Sequence, residues 1–153
     1  MSLIVDMSQV ENKLIAPLYL VLNDFVSITL LTQNIHWNVI GSDFFQIHNY
    51  TNSLYEDFFD DQDTFAERLR QLNVFVDVNS LKYNMPSISA PFDSKVAIGI
   101  LIEANKKLIV DLTNLRNTAA QLNDLETQDL AIKELEESAK INWMLKSFNT
   151  NLR

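Results

Sequence analysis

Residues 36–48 read HWNVIGSDFFQIH and contain both histidines of the chain, His36 and His48. Apolar residues recur with helical periodicity on either side of this stretch, and the glycine within it interrupts the pattern. We therefore expect two helices joined here by a tight link, over about residues 8–38 and 44–72. Because a tight link makes neighbouring helices antiparallel, it would bring the two imidazoles close together in space.

Two more helical segments are expected, at about residues 94–122 and 124–149. They follow a long proline-containing link over residues 73–92, in which residues 79–84 are compatible with a short helix. Asp43 is the expected N-cap of the second helix. The sequence thus predicts an all-α fold, namely a ferritin-like four-helix bundle with one long crossover. A single domain is expected over residues 1–153.

Composition narrows the choice of fold and compartment. The chain has 153 residues and is 47% hydrophobic, but its 2 Gly and 3 Pro are too few for the many turns of a β-sandwich or barrel. It has no Cys, which excludes disulfides, thiolate metal sites and a Cys nucleophile. No uninterrupted apolar run approaches about 18 residues, and the first residues do not resemble a signal peptide. We therefore expect a cytoplasmic protein without a membrane span.

Acidic residues dominate the charge, with 20 Asp and Glu against 12 Lys and Arg and a net charge of −8. Such a surface repels phosphate backbones and suits cations. Asp63 and Glu67 are spaced i, i+4, so both carboxylates project from one helix face. Imidazole combined with carboxylate suits iron or zinc. A plainer interpretation also fits, in which the histidines are ordinary residues at a helix junction and the acidic run is a solvated face.

The distance along the second helix restricts how a metal site could be built. His48 and Asp63 are about 22 Å apart along the helix axis, so they cannot bind one ion within a single chain. Two copies of this helix, paired antiparallel about a twofold axis near residues 55 and 56, would bring His48 of one copy to Asp63 of the other. A metal site made of these residues therefore requires at least a dimer.

The spacing of these residues resembles the pattern of the Dps miniferritins (DNA-binding proteins from starved cells). That pattern is His-Trp-Asn, a glycine three residues on, a phenylalanine, a second histidine twelve residues after the first, and then Asp-x-x-Ala-Glu-Arg. Every part is present here without a gap: His36, Trp37, Asn38, Gly41, Phe44, His48, Asp63, Ala66, Glu67 and Arg68. The resemblance covers nearly the whole chain.

The resemblance implies a homododecameric shell with ferroxidase centres at its twofold interfaces. His36 and His48 would come from one subunit, and Asp63 and Glu67 from its mate. The implied activity is oxidation of Fe(II), preferably by hydrogen peroxide, followed by storage of Fe(III) in the cavity and protection against oxidative damage. Iron is the expected metal, and zinc could substitute for it.

Two features depart from the family pattern. The family usually has an Asp one helical turn after the second histidine, where this chain has Asn52, so the second iron position is in doubt. The chain also shows no Lys/Arg-rich tail of the kind that binds DNA in the family, and DNA binding is therefore doubtful. Asp124 and Asp129 match the region that lines the family's iron channels, although Asp124 is equally expected as a simple N-cap.

Three functions are therefore compatible with the sequence. A ferroxidase and iron-storage shell is the leading interpretation. A structural shell with an impaired metal site is the alternative that Asn52 favours. A nucleoid-associated DNA-binding protein is opposed by the net charge.

Overall fold

Four long helices make up the bundle in this computed structural model, which describes the backbone of residues 7–149 and the side chains of residues 12–149. They are α1 (Met7–Asn38), α2 (Phe44–Gln71), α3 (Ser94–Gln121) and α4 (Leu125–Phe148). The all-α bundle expected from the sequence is confirmed, with helix ends within about two residues of the predicted ones. The outermost residues of the expected single domain lie outside the described part, and that expectation stays a prediction.

The closest packing follows the short links: α1 lies against α2, α3 lies against α4, and α1 also contacts α3. Apolar residues at helical spacing fill the space between them. One cluster surrounds Phe25, whose ring stacks on that of Phe65 at 5.3 Å between centroids. A second cluster contains Ile35 and Ile47, each one residue away from a histidine. This second cluster is the rigid support behind both imidazoles.

The crossover between α2 and α3 differs from the expectation in two respects. Only Val78–Ser80 is helical, as one turn of 3-10 helix, instead of the six residues considered. The amide of Lys82 donates to Asn23 Oδ1 at 2.9 Å and that of Asn84 donates to Ser27 Oγ at 2.9 Å. Because side chains of α1 accept hydrogen bonds from these amides, the segment lies along α1 instead of forming a helix of its own.

Two short strands were not anticipated. β1 (Val39–Ile40) follows α1, and β2 (Phe92–Asp93) precedes α3; they pair in parallel with Val39 opposite Phe92. This pair fixes the end of α1 to the end of the crossover. The C-terminal turn of α1, which carries His36, is thereby held against the start of α3.

The helix caps agree only in part with the sequence. Asp93 accepts from the amide of Val96 and Asp124 from that of Thr127, each at 3.0 Å, so both cap their helices. Asp43 occupies the N-cap position of α2, as expected, but its side chain makes no capping hydrogen bond. Asp43 instead accepts from the hydroxyl of Ser94 at 3.1 Å, which links the start of α2 to the start of α3.

One segment of α1 is long and apolar enough, by composition, to cross a membrane. Asn12–Asn38 has a mean hydropathy of 1.9 in its most apolar window, and 61% of that window is buried within the bundle. A core helix of a four-helix bundle has this composition because it packs against neighbours over much of its circumference.

Candidate metal centre

His36 and His48 lie face to face at the α1–α2 junction. Their rings stack with centroids 3.7 Å apart and planes inclined by 16°. His36 Nδ1 is 2.8 Å from the carbonyl oxygen of His48, and His48 Nδ1 is 2.8 Å from the carbonyl oxygen of His36. A carbonyl oxygen can only accept, so each Nδ1 carries a proton and donates it. In the neutral ring this leaves the lone pair on Nε2, which is the form that binds a metal.

Neighbouring side chains hold the two rings in place. Thr51 Oγ1, which donates to the carbonyl of Ile47 at 2.7 Å, lies 3.3 Å from His36 Nδ1 and shares its proton. The ring of Tyr55 meets His36 edge-on at 5.3 Å, and the ring of Phe44 stacks on His48 at 5.0 Å. His36 is 8% exposed and His48 is half-buried, so one imidazole is nearly enclosed and the other reaches the surface.

Asn52 lies one turn beyond His48, where the family pattern has an acid, but its amide is already engaged. Its Oδ1 accepts from the hydroxyl of Tyr55 at 2.9 Å, and its Nδ2 donates to Glu56 Oε1 at 3.2 Å. One lone pair of Oδ1 stays free. Asn52 is therefore poorly placed to be a strong ligand, because a metal would have to share this oxygen with Tyr55.

Asp63 and Glu67 project from α2 as exposed side chains. They lie about four and five helical turns beyond His48. In the part of the chain that the structure describes, no three His, Asp or Glu side chains converge on a point that could hold a metal. The predicted ligands thus separate into a paired set, His36 with His48, and an exposed set, Asp63 with Glu67. Their role as metal ligands stays a prediction.

Two exposed aromatic side chains lie close in sequence to the proposed ligands. Phe59 is 60% exposed and lies on the same face of α2 as Asn52 and Asp63, and Trp37 on α1 is 66% exposed. Next to Phe59 is a concavity of about 260 Å³, which Tyr55 and Glu56 also line. The concavity lies where the sequence predicts a twofold axis, near residues 55 and 56.

The arginine that follows Glu67 links α2 to the beginning of α4. Arg68 donates through one nitrogen to both carboxylate oxygens of Asp124, at 2.9 and 3.1 Å, and through Nε to Thr127 Oγ1 at 2.9 Å. Burial alone would raise the pKa of Asp124, but the Thr127 amide and hydroxyl and the Arg68 guanidinium hold it below its usual value. Asp124 is thus a buried cap. Asp129 is exposed beside a concavity at the start of α4, and its place in a channel stays a prediction.

Two clusters of buried acids were missed from the sequence. Glu134 on α4 is 4% exposed and faces Asp61 on α2. Burial and the Asp61 carboxyl raise the pKa of Glu134 to about 8, and burial raises that of Asp61 to about 6. Asp24 on α1 is 6% exposed. Its position inside an otherwise mostly apolar helical stretch was a signal of burial that sequence reasoning could have used.

Comparison with known proteins adds sequence relationships to this geometry. A ferritin-like domain matches residues 15–153. A DNA protection during starvation protein from Helicobacter pylori is 32% identical over 129 residues, which represent 81% of this chain and 90% of that protein. The ferritin-like domain therefore reaches all four helices and is not limited to the histidine-containing link.

Solved structures share the same arrangement of helices. Dps from Microbacterium arborescens in its high-iron form has 25% sequence identity and a TM-score of 0.86, over 92% of this chain and 95% of that one. Helicobacter cinaedi CAIP has 28% identity and a TM-score of 0.82, over 92% of this chain and 99% of that one. The likeness extends over nearly the full length of each chain, so it includes the crossover as well as the helices.

Proposed function

The chain belongs to the Dps family of ferritin-like proteins, and on this basis we propose that it oxidises Fe(II) and stores the Fe(III) product inside a dodecameric shell in the cytoplasm. The observation that carries the proposal is the His36–His48 pair, whose Nδ1 atoms are both occupied by carbonyl oxygens. That arrangement leaves two Nε2 atoms available to a metal ion at the helix junction.

The carboxylates of the proposed centre come from a second subunit. Asp63 and Glu67 are exposed and point away from their own bundle, as ligands for a neighbouring subunit would. Pairing two α2 helices antiparallel about an axis near residues 55 and 56 covers both copies of Phe59 at the same time. It also brings the two carboxylates of the partner subunit to His36 and His48, so that each twofold interface holds two identical sites.

Iron is the substrate in this proposal, and hydrogen peroxide is the expected oxidant. Two Fe(II) ions each lose one electron, peroxide accepts both, and with two protons it forms two molecules of water. The anionic carboxylates stabilise the higher charge of Fe(III) more than that of Fe(II), which favours oxidation at the site. Consuming Fe(II) and peroxide together removes both reagents that form hydroxyl radicals.

An anaerobic titration tests the proposal directly. The assembled protein is loaded with Fe(II) without oxygen, peroxide is added, and ferric absorbance is followed in time. We expect rapid oxidation, with one molecule of peroxide consumed for two Fe(II). Pre-incubation with Zn(II), which has no redox chemistry but accepts the same ligands, should slow the reaction. Oxidation no faster than that of Fe(II) in buffer would overturn the proposal.

A structural shell without efficient ferroxidase activity is the second candidate, and the bonding of Asn52 favours it. With Oδ1 shared with Tyr55 and no negative charge, this residue attracts a cation less than the usual acid would. Under this alternative the particle assembles and takes up preformed Fe(III), but peroxide oxidises added Fe(II) only slowly. The same titration therefore separates the two candidates.

A further inference from the structure

A chain of hydrogen bonds on one face of α2 connects Asn52 to a carboxylate. Tyr55 donates its hydroxyl proton to Asn52 Oδ1 at 2.9 Å, and Asn52 Nδ2 donates to Glu56 Oε1 at 3.2 Å. The ring of Tyr55 also lies edge-on to that of His36, with 5.3 Å between the centroids. A negative charge is therefore only one hydrogen bond away from the residue that occupies the place of the usual acid.

This side of the bundle has no basic side chain to neutralise Glu56. The sequence contains no Lys or Arg between Lys13 and Arg68, a stretch that includes most of α1 and most of α2. The concavity of about 260 Å³ that Glu56 lines has no basic residue in its wall, and it has one further acid, Asp60. The charge of Glu56 is balanced only by water as long as the chain is single.

The twofold pairing of the proposed function would take that water away. Its axis lies near residues 55 and 56, so a second α2 covers Glu56, which is exposed in the single chain. That helix brings no cation of its own, because its first basic residue after His48 is Arg68, which is already bonded to Asp124. A carboxylate that loses water without gaining a positive partner is unfavourable. A metal cation bound at the same interface removes this cost.

Asn52 is able to pass the effect of the charge on to a cation. When the amino group of an amide donates to a carboxylate, the amide is polarised and its oxygen becomes a better electron donor. Asn52 Oδ1 keeps one lone pair in addition to the one that accepts from Tyr55. The carboxylate also attracts a cation through space. Asn52 and Glu56 together thus supply an oxygen and a negative charge, which in the family pattern come from one acid.

We propose that Glu56 is a positioning residue that gives the second iron position its negative charge through Asn52. This inference rests on the proposed function, in which Fe(II) is the substrate held there. It assigns the missing charge of residue 52 to a side chain one helical turn further along α2. The first iron position, with His36 and the two carboxylates Asp63 and Glu67, does not depend on Glu56.

Glu56→Gln separates the charge from the hydrogen bond, because Gln still accepts from Asn52 Nδ2 but is neutral. Fe(II) is titrated anaerobically and calorimetrically into the assembled wild type and variant. We expect the second Fe(II) to bind at least about tenfold more weakly to the variant, with the first changed by no more than about twofold. Asp57→Asn removes the same charge from the side of α2 that faces α4, and both its affinities should stay within about twofold of wild type.

A double variant tests whether the charge acts at position 52. Asn52→Asp in the Glu56→Gln background returns a negative charge to the site and should restore the second Fe(II) affinity to at least the wild-type value. A merely structural role of Glu56 predicts no loss in Glu56→Gln and therefore nothing to restore. If Glu56→Gln fails to assemble, Asn52→Ala, which breaks the hydrogen-bond chain, should show the same tenfold loss or more.

Three results would overturn the inference: a wild type that binds only one Fe(II) per centre, a second Fe(II) affinity that Glu56→Gln and Asn52→Ala leave unchanged, or a double variant that is not restored. Rapid oxidation by peroxide together with any of these results refutes the role of Glu56 alone. A wild type that neither binds nor oxidises Fe(II) refutes the proposed function and this inference with it.

Discussion

His36 and His48 donate their Nδ1 protons to each other's main-chain carbonyl oxygens, both at 2.8 Å, so the two residues form a closed reciprocal pair. The carbonyl group of His36 lies in the last turn of α1, where an intrahelical partner is lacking. The carbonyl group of His48, in the first turns of α2, also accepts from the hydroxyl of Thr51 at 3.2 Å. The pair therefore stabilises the α1–α2 junction and fixes both ring tautomers with the same two bonds. Losing the His48 imidazole leaves the carbonyl of His36 without this donor.

Removing either exposed carboxylate should abolish rapid Fe(II) oxidation without preventing assembly. Asp63→Ala and Glu67→Ala each remove a charged ligand from the proposed centre but no side chain from the core, since both residues are exposed. Rates of oxidation by peroxide are measured by stopped-flow absorbance and should fall at least about a hundredfold. Asp57→Ala, an equally exposed carboxylate on the side of α2 that faces α4, is the matched control and should keep the wild-type rate. Wild-type rates in Asp63→Ala would exclude that residue as a ligand.

Restoring an acid at position 52 should tighten the second iron position. Asn52→Asp adds a negative charge one turn from His48 and still allows Tyr55 to donate to it. Anaerobic calorimetric titration with Fe(II) should show a higher affinity, or one further ion per site, because a hard cation prefers anionic oxygen. Gln46→Glu, an exposed position about 120° around α2 from residue 52 and next to α3 and α4, adds the same charge and should have no such effect. Identical titrations for Asn52→Asp and wild type would place residue 52 away from the metal.

A charge at the exposed aromatic of α2 should disperse the particle. Phe59→Asp would put two like charges at the proposed twofold interface and remove the apolar area of a side chain that is 60% exposed in the single chain. Light scattering should show a large particle for the wild type and dimers or smaller species for the variant. Val110→Asp on α3, which is 64% exposed, is the matched control and should stay assembled. A wild-type protein that is a stable monomer of 17.6 kDa would contradict the shared site altogether.

The buried acid pair between α2 and α4 should make the protein less stable as the pH rises. In the folded state Glu134 keeps its proton up to about pH 8. In the unfolded chain the same carboxyl loses its proton near its ordinary pKa of 4.5. The folded state thus binds more protons between these values, and the free energy of unfolding falls as pH rises through this window. Glu134→Gln should flatten the fall and be more stable than wild type at pH 9, by on the order of 1–3 kcal/mol.

Thermal midpoints at pH 5, 7 and 9 and at one protein concentration check this expectation. Glu136→Gln, an exposed residue on the same helix, should follow the wild-type curve. A parallel pH dependence for Glu134→Gln and wild type would show that this carboxyl does not titrate in the range given.

The helices were predictable because their signals are local. Apolar periodicity and the glycine at the first link fix α1 and α2, and the proximity of His36 and His48 follows from the shortness of that link. What the sequence missed depends on contacts between distant residues. Asp43 resembles a helix cap, but its carboxylate accepts a hydrogen bond from Ser94, 51 residues later in the chain. The crossover stays extended because Asn23 and Ser27 accept hydrogen bonds from its backbone amides.

The candidate site was predictable to a different extent. Residue types and spacing suffice to separate the histidines from Asp63 and Glu67 into two sets about 22 Å apart. The engagement of Asn52 by Tyr55 was not predictable, because an i, i+3 pair on a helix contacts in some rotamers and not in others. Buried acids such as Asp24 and Glu134 have the same chemistry as solvated ones, and only packing distinguishes them.

The separation of about 22 Å between His48 and Asp63 along α2 has a genetic consequence. A chain with His36→Ala keeps sound carboxylates, and a chain with Glu67→Ala keeps sound histidines. Co-expressed in one cell, two inactive alleles would therefore complement each other, because a mixed pair holds one intact centre and one doubly defective centre. With random pairing about a quarter of all centres would be intact. Recovery of about that fraction of the wild-type oxidation rate, from two chains that are inactive alone, would be the signature of a shared site.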